Sequence, residues 1–280
     1  MELRRASSPD DTASNSLLLA GGTEVVPLLR AGILRAETLL DVRGVVPRGI
    51  AAGRIGAGAT LAELEGDPEV PEALREACRL AASPQLRNMG SLAGNLLQST
   101  RCWYWRLNWP CRLHRTPDGY GEECFAHEGE HREHAIFAND YCASAHPSDV
   151  AATLLALDAT LHTSRRALPI AELYRVPSVD DRRTTTLEPG ELLLEVEVPP
   201  ADRSVYLKAM DRKRWAFPLV GVAAARAAGA TRIALAGVAP IPWLLPDGGL
   251  DEATPLPRNA YKLEIATALV HRARAALDAA

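Results

Sequence analysis

Cysteine and aromatic residues are scarce in this 280-residue chain: five Cys, three Phe, six Tyr and five Trp. So few cysteines exclude a disulfide scaffold. No charge sign is in excess. The 31 basic and 35 acidic residues leave a net −4, which gives no footprint for non-specific nucleic-acid binding and no acidic tail. Long hydrophobic runs are missing too, since no stretch approaches the ~18 apolar residues that span a bilayer. Residues 1–15 carry Arg4, Arg5, Asp10 and Asp11 where a secretory signal would have an apolar run. There is no internal repeat and no low-complexity tract. A cytoplasmic chain with an ample buried core, in one large domain or two smaller ones, is the expectation.

The scarce residues are gathered in one place. Four of the five Cys, five of the seven His and eight of the fourteen aromatics fall between Arg101 and His146. Cys102, Cys111, Cys124 and Cys142 are separated by 8, 12 and 17 residues, so no Cys-x-x-Cys pair exists and a zinc ribbon or thioredoxin-like site is excluded. Four thiols within 41 positions point to a metal site. Spacing alone leaves zinc and an iron–sulfur cluster both open. Arg101, Arg106, Arg112 and Arg115 are placed to offset thiolate charge, and Trp103, Tyr104, Trp105 and Trp109 to exclude water. His127, His131 and His134 stand at i, i+4 and i+7, but the polar run from Glu128 to Glu133 reads as a loop, so they are expected to be exposed or structural. Ser148, His146 and Asp149 are too close in sequence to form a nucleophilic triad. The remaining thiol, Cys78, sits on the apolar face of a helix and reads as core packing.

Around this segment the chain mixes strands and helices without steady βαβ alternation, which reads as α+β or a two-layer α/β arrangement. A short buried strand over 16–20 breaks at Gly21-Gly22-Thr23, and a helix follows to Ala31. A second strand enters the turn Gly56-Ala-Gly58, and Thr60-Leu-Ala-Glu63 is a capping box. An amphipathic helix spans 71–82, residues 83–95 read as a loop, and an apolar helix covers 150–157 behind Ser148 or Asp149 as cap. Glu191–Val198 alternates as a strand and ends at Pro199-Pro200, the best internal boundary. Strands over 205–210 and 232–237 and a helix over 261–277 follow. The Gly turns at 21–22 and 56–58, and the small residues of Gly90-Ser-Leu-Ala-Gly-Asn95, can bring backbone N–H groups close to a large phosphate-bearing cofactor, or can be tight turns. A P-loop is excluded because no Gly-Lys-Ser/Thr occurs, and the dinucleotide fingerprint fails at Leu61.

Several blocks taken together carry a resemblance. They are Leu18-Leu-Ala-Gly-Gly-Thr-Glu24, Ile55-Gly-Ala-Gly-Ala-Thr60, the run from Ala82 to Leu97, Arg101-Cys-Trp-Tyr-Trp-Arg106, His134-Ala-Ile-Phe137, Cys142-Ala-Ser-Ala-His-Pro-Ser-Asp149, Tyr206-Leu-Lys208 and Pro257-Arg-Asn-Ala-Tyr-Lys262. In this order they resemble the FAD-binding medium subunit of the molybdenum hydroxylases, the xanthine dehydrogenase/aldehyde oxidase family. The branch they resemble most is the bacterial periplasmic aldehyde oxidoreductase type, whose flavin subunit carries an extra [4Fe-4S] cluster.

The resemblance implies an α+β fold in which two α/β FAD-binding subdomains of the vanillyl-alcohol-oxidase (PCMH-like) type occupy 1–202, with a cysteine-rich insertion at about 100–146. A smaller α+β C-terminal domain then covers 203–280. It implies FAD bound by Leu18, Leu19, Ala20, Gly21, Gly22, Thr23 and Glu24 in a first loop, and by Ala82, Gly90, Ser91, Gly94, Asn95 and Leu97 in a second. Ser148 and Asp149 would hold the adenosine side, and Lys208 would lie beside the flavin ring. Cys102, Cys111, Cys124 and Cys142 would ligate the [4Fe-4S] cluster. No residue is expected to act on the carbon substrate. The implied function is electron transfer, from partner [2Fe-2S] centres through FAD to an external acceptor, while a large molybdenum-cofactor subunit oxidises an aldehyde. Export with a signal-bearing partner would place the chain in the periplasm. Two rivals remain: a zinc-binding interaction module without flavin, and a subunit of a 4-hydroxybenzoyl-CoA reductase-like enzyme. The stretch between Trp243 and Pro255 is shorter than the resemblance leads one to expect, and Glu24 stands where that branch often has Asp.

Overall fold

The computed structural model describes residues 1–12, 16–116, 119–247 and 249–279. Four sheets, one of them a two-stranded pair, and eight α-helices are found among them. The first sheet is parallel, with β1 (Glu2–Arg5), β2 (Ser16–Leu19) and β3 (Thr38–Asp41) in the order β1-β3-β2. The helix α1 (Val25–Arg30) follows β2 across the Gly21-Gly22 turn, where Gly22 has φ +74°. A second, antiparallel sheet begins with β4 (Ile50–Ala51) and β5 (Arg54–Gly56). The short pair β6 (Arg115–Thr116) and β7 (Gly119–Tyr120) lies in the cysteine segment. Then β8 (Thr160–Thr163), β9 (Ala167–Pro169) and β10 (Leu193–Glu197) complete the second sheet in the order β4-β5-β10-β8-β9.

The helices of this half begin as the sequence predicts. Thr60 caps α2 (Leu61–Gly66) through a reciprocal box: its hydroxyl accepts from Glu63 N at 3.2 Å, and Glu63 Oε2 accepts from Thr60 N at 2.7 Å. In α3 (Glu72–Ala81) the buried face is Ala73, Leu74, Ala77 and Cys78. The segment 83–95, read from sequence as a loop, instead holds two short helices, α4 (Pro84–Arg87) and α5 (Leu92–Leu96). Each starts at a serine cap, Ser83 and Ser91, and both are too short to show an apolar period. A third one-turn helix, α6 (Trp103–Arg106), opens the cysteine segment, which apart from β6 and β7 is irregular up to α7 (Asp149–Ala156) among the described residues.

After Pro200 the third sheet runs antiparallel as β11 (Arg203–Ala209), β12 (Val220–Ala227), β13 (Ala230–Ala236) and β14 (Trp243–Leu244). The chain ends in α8 (Tyr261–Asp278). The third sheet is covered on both faces. Val220, Val222 and Ala224 join Leu269, Val270 and Ala273 of α8 in one core, while Ala223 and Ala225 belong to the core formed by α3, α7 and the second sheet. This two-sided burial explains why residues 217–225 are apolar throughout rather than alternating. No helix among the described residues is long and apolar enough to cross a membrane.

The N-terminus of α7 joins the two halves. Ser148 caps the helix by accepting from Ala151 N at 2.9 Å. Beside it the Asp149 carboxylate is buried against Lys208 Nζ at 2.8 Å and receives the Tyr206 hydroxyl, both from β11. Burial pushes the Asp149 carboxyl above the usual carboxylate range, with the Lys208 ammonium and the Tyr206 hydroxyl opposing it. Lys208 and Asp149 side chains are 0% and 1% exposed, so loss of either partner strands a buried charge. Lys208→Met is expected to lower unfolding stability by about 3–5 kcal/mol, read from denaturant titrations.

Three residues before Asp149, His146 is buried against the Tyr174 ring, and burial pulls its imidazole down to about 3 from 6.5. The unfolded chain therefore binds a proton there that the folded chain does not, between about pH 6.5 and 3. His146 contributes stability that is present above pH 6.5 and is lost as pH falls. Against His146→Gln, the wild type is expected to lose up to about 1.4 kcal/mol more per pH unit below that point, measured by unfolding at stepped pH.

Candidate functional site

The residues singled out from sequence fall into three groups. The first lines a cleft of about 420 Å³, a size that suits a cofactor, between the first and second sheets. From the end of β2 and the turn after it come Leu18, Ala20, Gly21, Gly22, Thr23 and Glu24. From the second loop come Ser91, Gly94 and Leu97. Leu19, which pairs with Asp41, and Gly90 adjoin this lining without forming part of it.

The two loops are pressed together. A Cβ on Gly21 would sit 1.7 Å from Met89 O, so only glycine lets the first loop lie on the backbone of the second. Further cleft residues were not singled out from the sequence: Val42, Arg43, Val46, Arg48, Asn88 and Leu193, while Thr60, read there only as a helix cap, also lines the cleft. Gly58, part of the second Gly turn that the sequence offers for close approach to a cofactor, is also in the lining; a Cβ there would meet Pro47 O at 2.9 Å. Close approach was therefore the informative signal in that block, rather than a dinucleotide motif. Arg43 is held bidentately by Asp41 (2.9 and 2.7 Å) and Arg48 by Glu63 (2.8 Å), which leaves two guanidinium groups at the cleft.

The second group is the buried polar cluster at α7, and it lies outside the lining of the cleft. Ser148 Oγ donates to Asn95 Oδ1 at 2.5 Å, which ties the second loop to the helix cap. Asp149 and Lys208 are each other's partners, and the Lys208 ammonium also donates to Leu80 O at 2.9 Å. The resemblance sets Lys208 beside a flavin ring; here its side chain is wholly buried, because the buried Asp149 needs a cation. The Ala82 carbonyl accepts from Arg87 Nη1 at 2.5 Å.

The third group is the cysteines. Cys102, Cys111, Cys124 and Cys142 all line one small cavity, with Tyr104, Trp105 and Phe125 in its wall. Its open space is narrow, about 10 Å³, so a polynuclear centre would require the thiols to rotate outward. Burial raises the Cys102 thiol to about 12 and raises Cys111 as well. Cys142 Sγ donates to Ser144 Oγ at 3.3 Å and Cys124 Sγ accepts from Ala143 N at 3.5 Å, while the nearness of the two thiols lowers Cys124 and raises Cys142.

The arginines expected to offset these thiols are used elsewhere. Arg101 and Arg106 both pair with Glu24, at 2.8 and 2.6 Å, and the Glu24 carboxylate also accepts from Ser99 N at 3.1 Å. Arg112 donates to Glu122 O and Tyr141 O, each at 2.8 Å, and Arg115 is exposed. A carboxylate offers a guanidinium fork a better match than a buried thiol does. Trp109 stands at the rim, 44% exposed, while Trp103 packs edge-on to His134 at 4.7 Å.

His131 and His134 are buried structural groups, and no helix joins them. His131 bridges Ala126 O and the Arg258 N–H at 2.9 and 3.0 Å. His134 Nε2 lies 3.2 Å from Cys102 Sγ, and burial pulls its imidazole down to about 4. Sequence reasoning also missed Lys262, fully buried on α8, whose ammonium donates to Glu133 O, His134 O and Gly237 O at 2.9, 2.8 and 2.7 Å. Ser148, His146 and Asp149 make no triad, since Ser148 and Asp149 have other partners. Among the described residues no group of three or more His, Cys, Asp or Glu stands close enough together to hold a metal ion.

Comparison with known proteins identifies the architecture. Residues 3–201 match the FAD binding domain in molybdopterin dehydrogenase. The aldehyde oxidoreductase FAD-binding subunit PaoB of Escherichia coli (strain K12) is 38% identical over 243 residues, covering 80% of this chain and 75% of that protein. Among solved structures, reconstituted CO dehydrogenase from Oligotropha carboxidovorans is similar with a TM-score of 0.65 at 20% identity, over 97% of this chain and 95% of that one. Quinoline 2-oxidoreductase from Pseudomonas putida 86 gives 0.60 at 21% identity, over 95% of this chain and 85% of that one. At those identities the structural likeness establishes the fold. With the sequence match over most of its length, the chain belongs to the family of FAD-binding domains of molybdopterin dehydrogenases, which are oxidoreductases.

Proposed function

We propose that this chain is the electron-transferring flavin subunit of a molybdenum hydroxylase, with FAD in the cleft between the first two sheets and a [4Fe-4S] cluster on Cys102, Cys111, Cys124 and Cys142. The observation that carries the flavin reading is the contact of Gly21 with Met89 O, which brings two small-residue loops to one cleft wall. Backbone without side chains there can approach a pyrophosphate, and the Thr23 and Ser91 hydroxyls and the Arg43 and Arg48 guanidinium groups stand around it. Glu24 holds the first loop to the cysteine segment. Bound FAD supplies the exchange between one-electron carriers and a two-electron acceptor.

The cluster reading rests on the donor set. Four thiols converge from four separate loop positions, behind an aromatic wall, with no arginine committed to their charge. Burial raises the Cys102 and Cys111 thiols, and bound metal ions would compensate the charge of their thiolates. An aldehyde substrate rests on the likeness to PaoB. A large molybdenum-cofactor subunit and a small [2Fe-2S] subunit are the partners this role requires.

The purified complex is expected to show flavin bands over a broad iron–sulfur shoulder, with iron and acid-labile sulfide beyond the amount the [2Fe-2S] subunit accounts for. A colourless chain containing zinc overturns the reading. Gly21→Ala is expected to weaken flavin retention by about tenfold or more, equivalent to about 1.4 kcal/mol, and to leave the shoulder in place. Cys111→Ser is expected to lower iron and sulfide while flavin stays; a full cluster in that variant removes Cys111 from the ligand set.

A further inference from the structure

The connection between β11 and β12 is longer than the sheet requires. Residues 210–219 join these two neighbouring antiparallel strands, whereas Ala228-Gly229 suffices between β12 and β13. Hairpin loops commonly need only about two to five residues, so the extra length calls for another reason. The loop reads Asp211-Arg-Lys-Arg-Trp-Ala-Phe217. Arg212, Lys213 and Arg214 are exposed. Asp211 is engaged by Arg132 at 3.6 Å, and among the described residues no carboxylate pairs with the three bases. Trp215 and Phe217 are 55% and 46% exposed. Trp215 has φ +57°, a left-handed conformation that a bulky residue rarely takes, and Arg212 Nη2 donates to its carbonyl at 3.3 Å.

We infer that residues 211–217 are the docking site of the external electron acceptor, and that this acceptor is an acidic one-electron carrier protein. The inference deepens the electron-transfer reading above and rests on it. Three exposed bases without partners, in a chain of net charge −4, attract and orient an acidic surface. An exposed tryptophan among guanidinium groups has the composition of an interface hot spot. The loop also stands next to the cleft. Phe217 lies under the Arg101 guanidinium at 4.9 Å, and Arg101 pairs with Glu24 of the cleft wall. A cavity of about 310 Å³ opens beside Arg101, Arg212 and Phe217, but Lys213, Arg214 and Trp215 are not part of its lining. A small acceptor held in that cavity would leave those three without a role, whereas a protein surface covers them. Re-oxidation of a two-electron-reduced flavin then takes two carriers in turn, one electron each, and the two protons pass to water.

The test uses the whole complex, with rubredoxin as an acidic one-electron carrier and cytochrome c as a basic one. Oxidised rubredoxin is expected to bind, with an affinity that falls as salt rises. The double variant Lys213→Glu/Arg214→Glu is expected to weaken that binding about tenfold or more and to flatten its salt dependence. Trp215→Ala is expected to weaken binding while keeping the salt dependence. During anaerobic aldehyde turnover, the rate of rubredoxin reduction is expected to drop in both variants, while turnover with benzoquinone stays at the wild-type rate. Unchanged rubredoxin binding in the double variant, or tighter binding of cytochrome c than of rubredoxin by the wild type, overturns the inference. A double variant that no longer assembles also overturns it, because the loop then belongs to a subunit interface. If aldehyde leaves the wild-type flavin oxidised, the electron-transfer reading fails as a separate result, and the binding measurements still decide the role of the loop.

Discussion

The arrangement depends most on one buried carboxylate. Asp149, 1% exposed at the first turn of α7, faces Lys208 and Tyr206 from β11. A lone carboxylate there would be costly, and an ammonium with a hydroxyl makes it tolerable. The consequence is geometric as well as energetic. The same helix end is capped by Ser148, whose hydroxyl reaches Asn95 of the second loop. Lys208 also binds Leu80 O at the end of α3. One polar cluster therefore relates the third sheet, α3, α7 and the loop that forms a wall of the cleft. Apolar packing could bury the same surfaces, but it specifies direction less well than hydrogen bonds do.

A second polar link joins the cleft to the cysteines. Glu24 lines the cleft and takes both Arg101 and Arg106 from the residues flanking Cys102. Its side chain is 15% exposed, so solvent screens this three-charge group only in part. The first glycine loop is held by two unlike constraints: backbone contact at Gly21 and charge at Glu24. The first admits no side chain, and the second admits only an acid long enough to reach two forks.

These contacts show what could be read along the chain and what could not. Local features were legible because they are decided within a few residues. The Thr60–Glu63 box, the apolar face of α3 and the Ser148 cap are examples. The concentration of cysteines was legible because it is a count. The helices α4 and α5 were missed because four or five residues carry no period. The roles of the arginines were missed for a different reason. Arg101 stands one residue from a cysteine, and its true partner is 77 positions away. Sequence proximity to the thiols gave the wrong partner because a guanidinium binds whichever carboxylate the fold delivers. Lys208 belongs to the same class, since nothing beside it in sequence announces that Asp149 will be buried next to it.

Lys262 carries this reasoning furthest. It is a fully buried lysine without a carboxylate partner, among the least expected residues in a core. Its three ammonium hydrogens meet three carbonyls, two from the cysteine segment and one from the turn after β13. Burial pulls it down to about 7, so the charge is held at a cost and the three acceptors are what oppose that cost. An apolar residue would remove the penalty and leave three buried carbonyls unsatisfied, which is no cheaper. The cysteine segment, largely irregular and poor in sheet pairing, has few backbone partners of its own. The donors at the start of α8 replace them, and in doing so they set the His134 ring against Cys102. The last helix in the chain is thus part of the structure of the thiol site, although 120 residues separate Lys262 from Cys142.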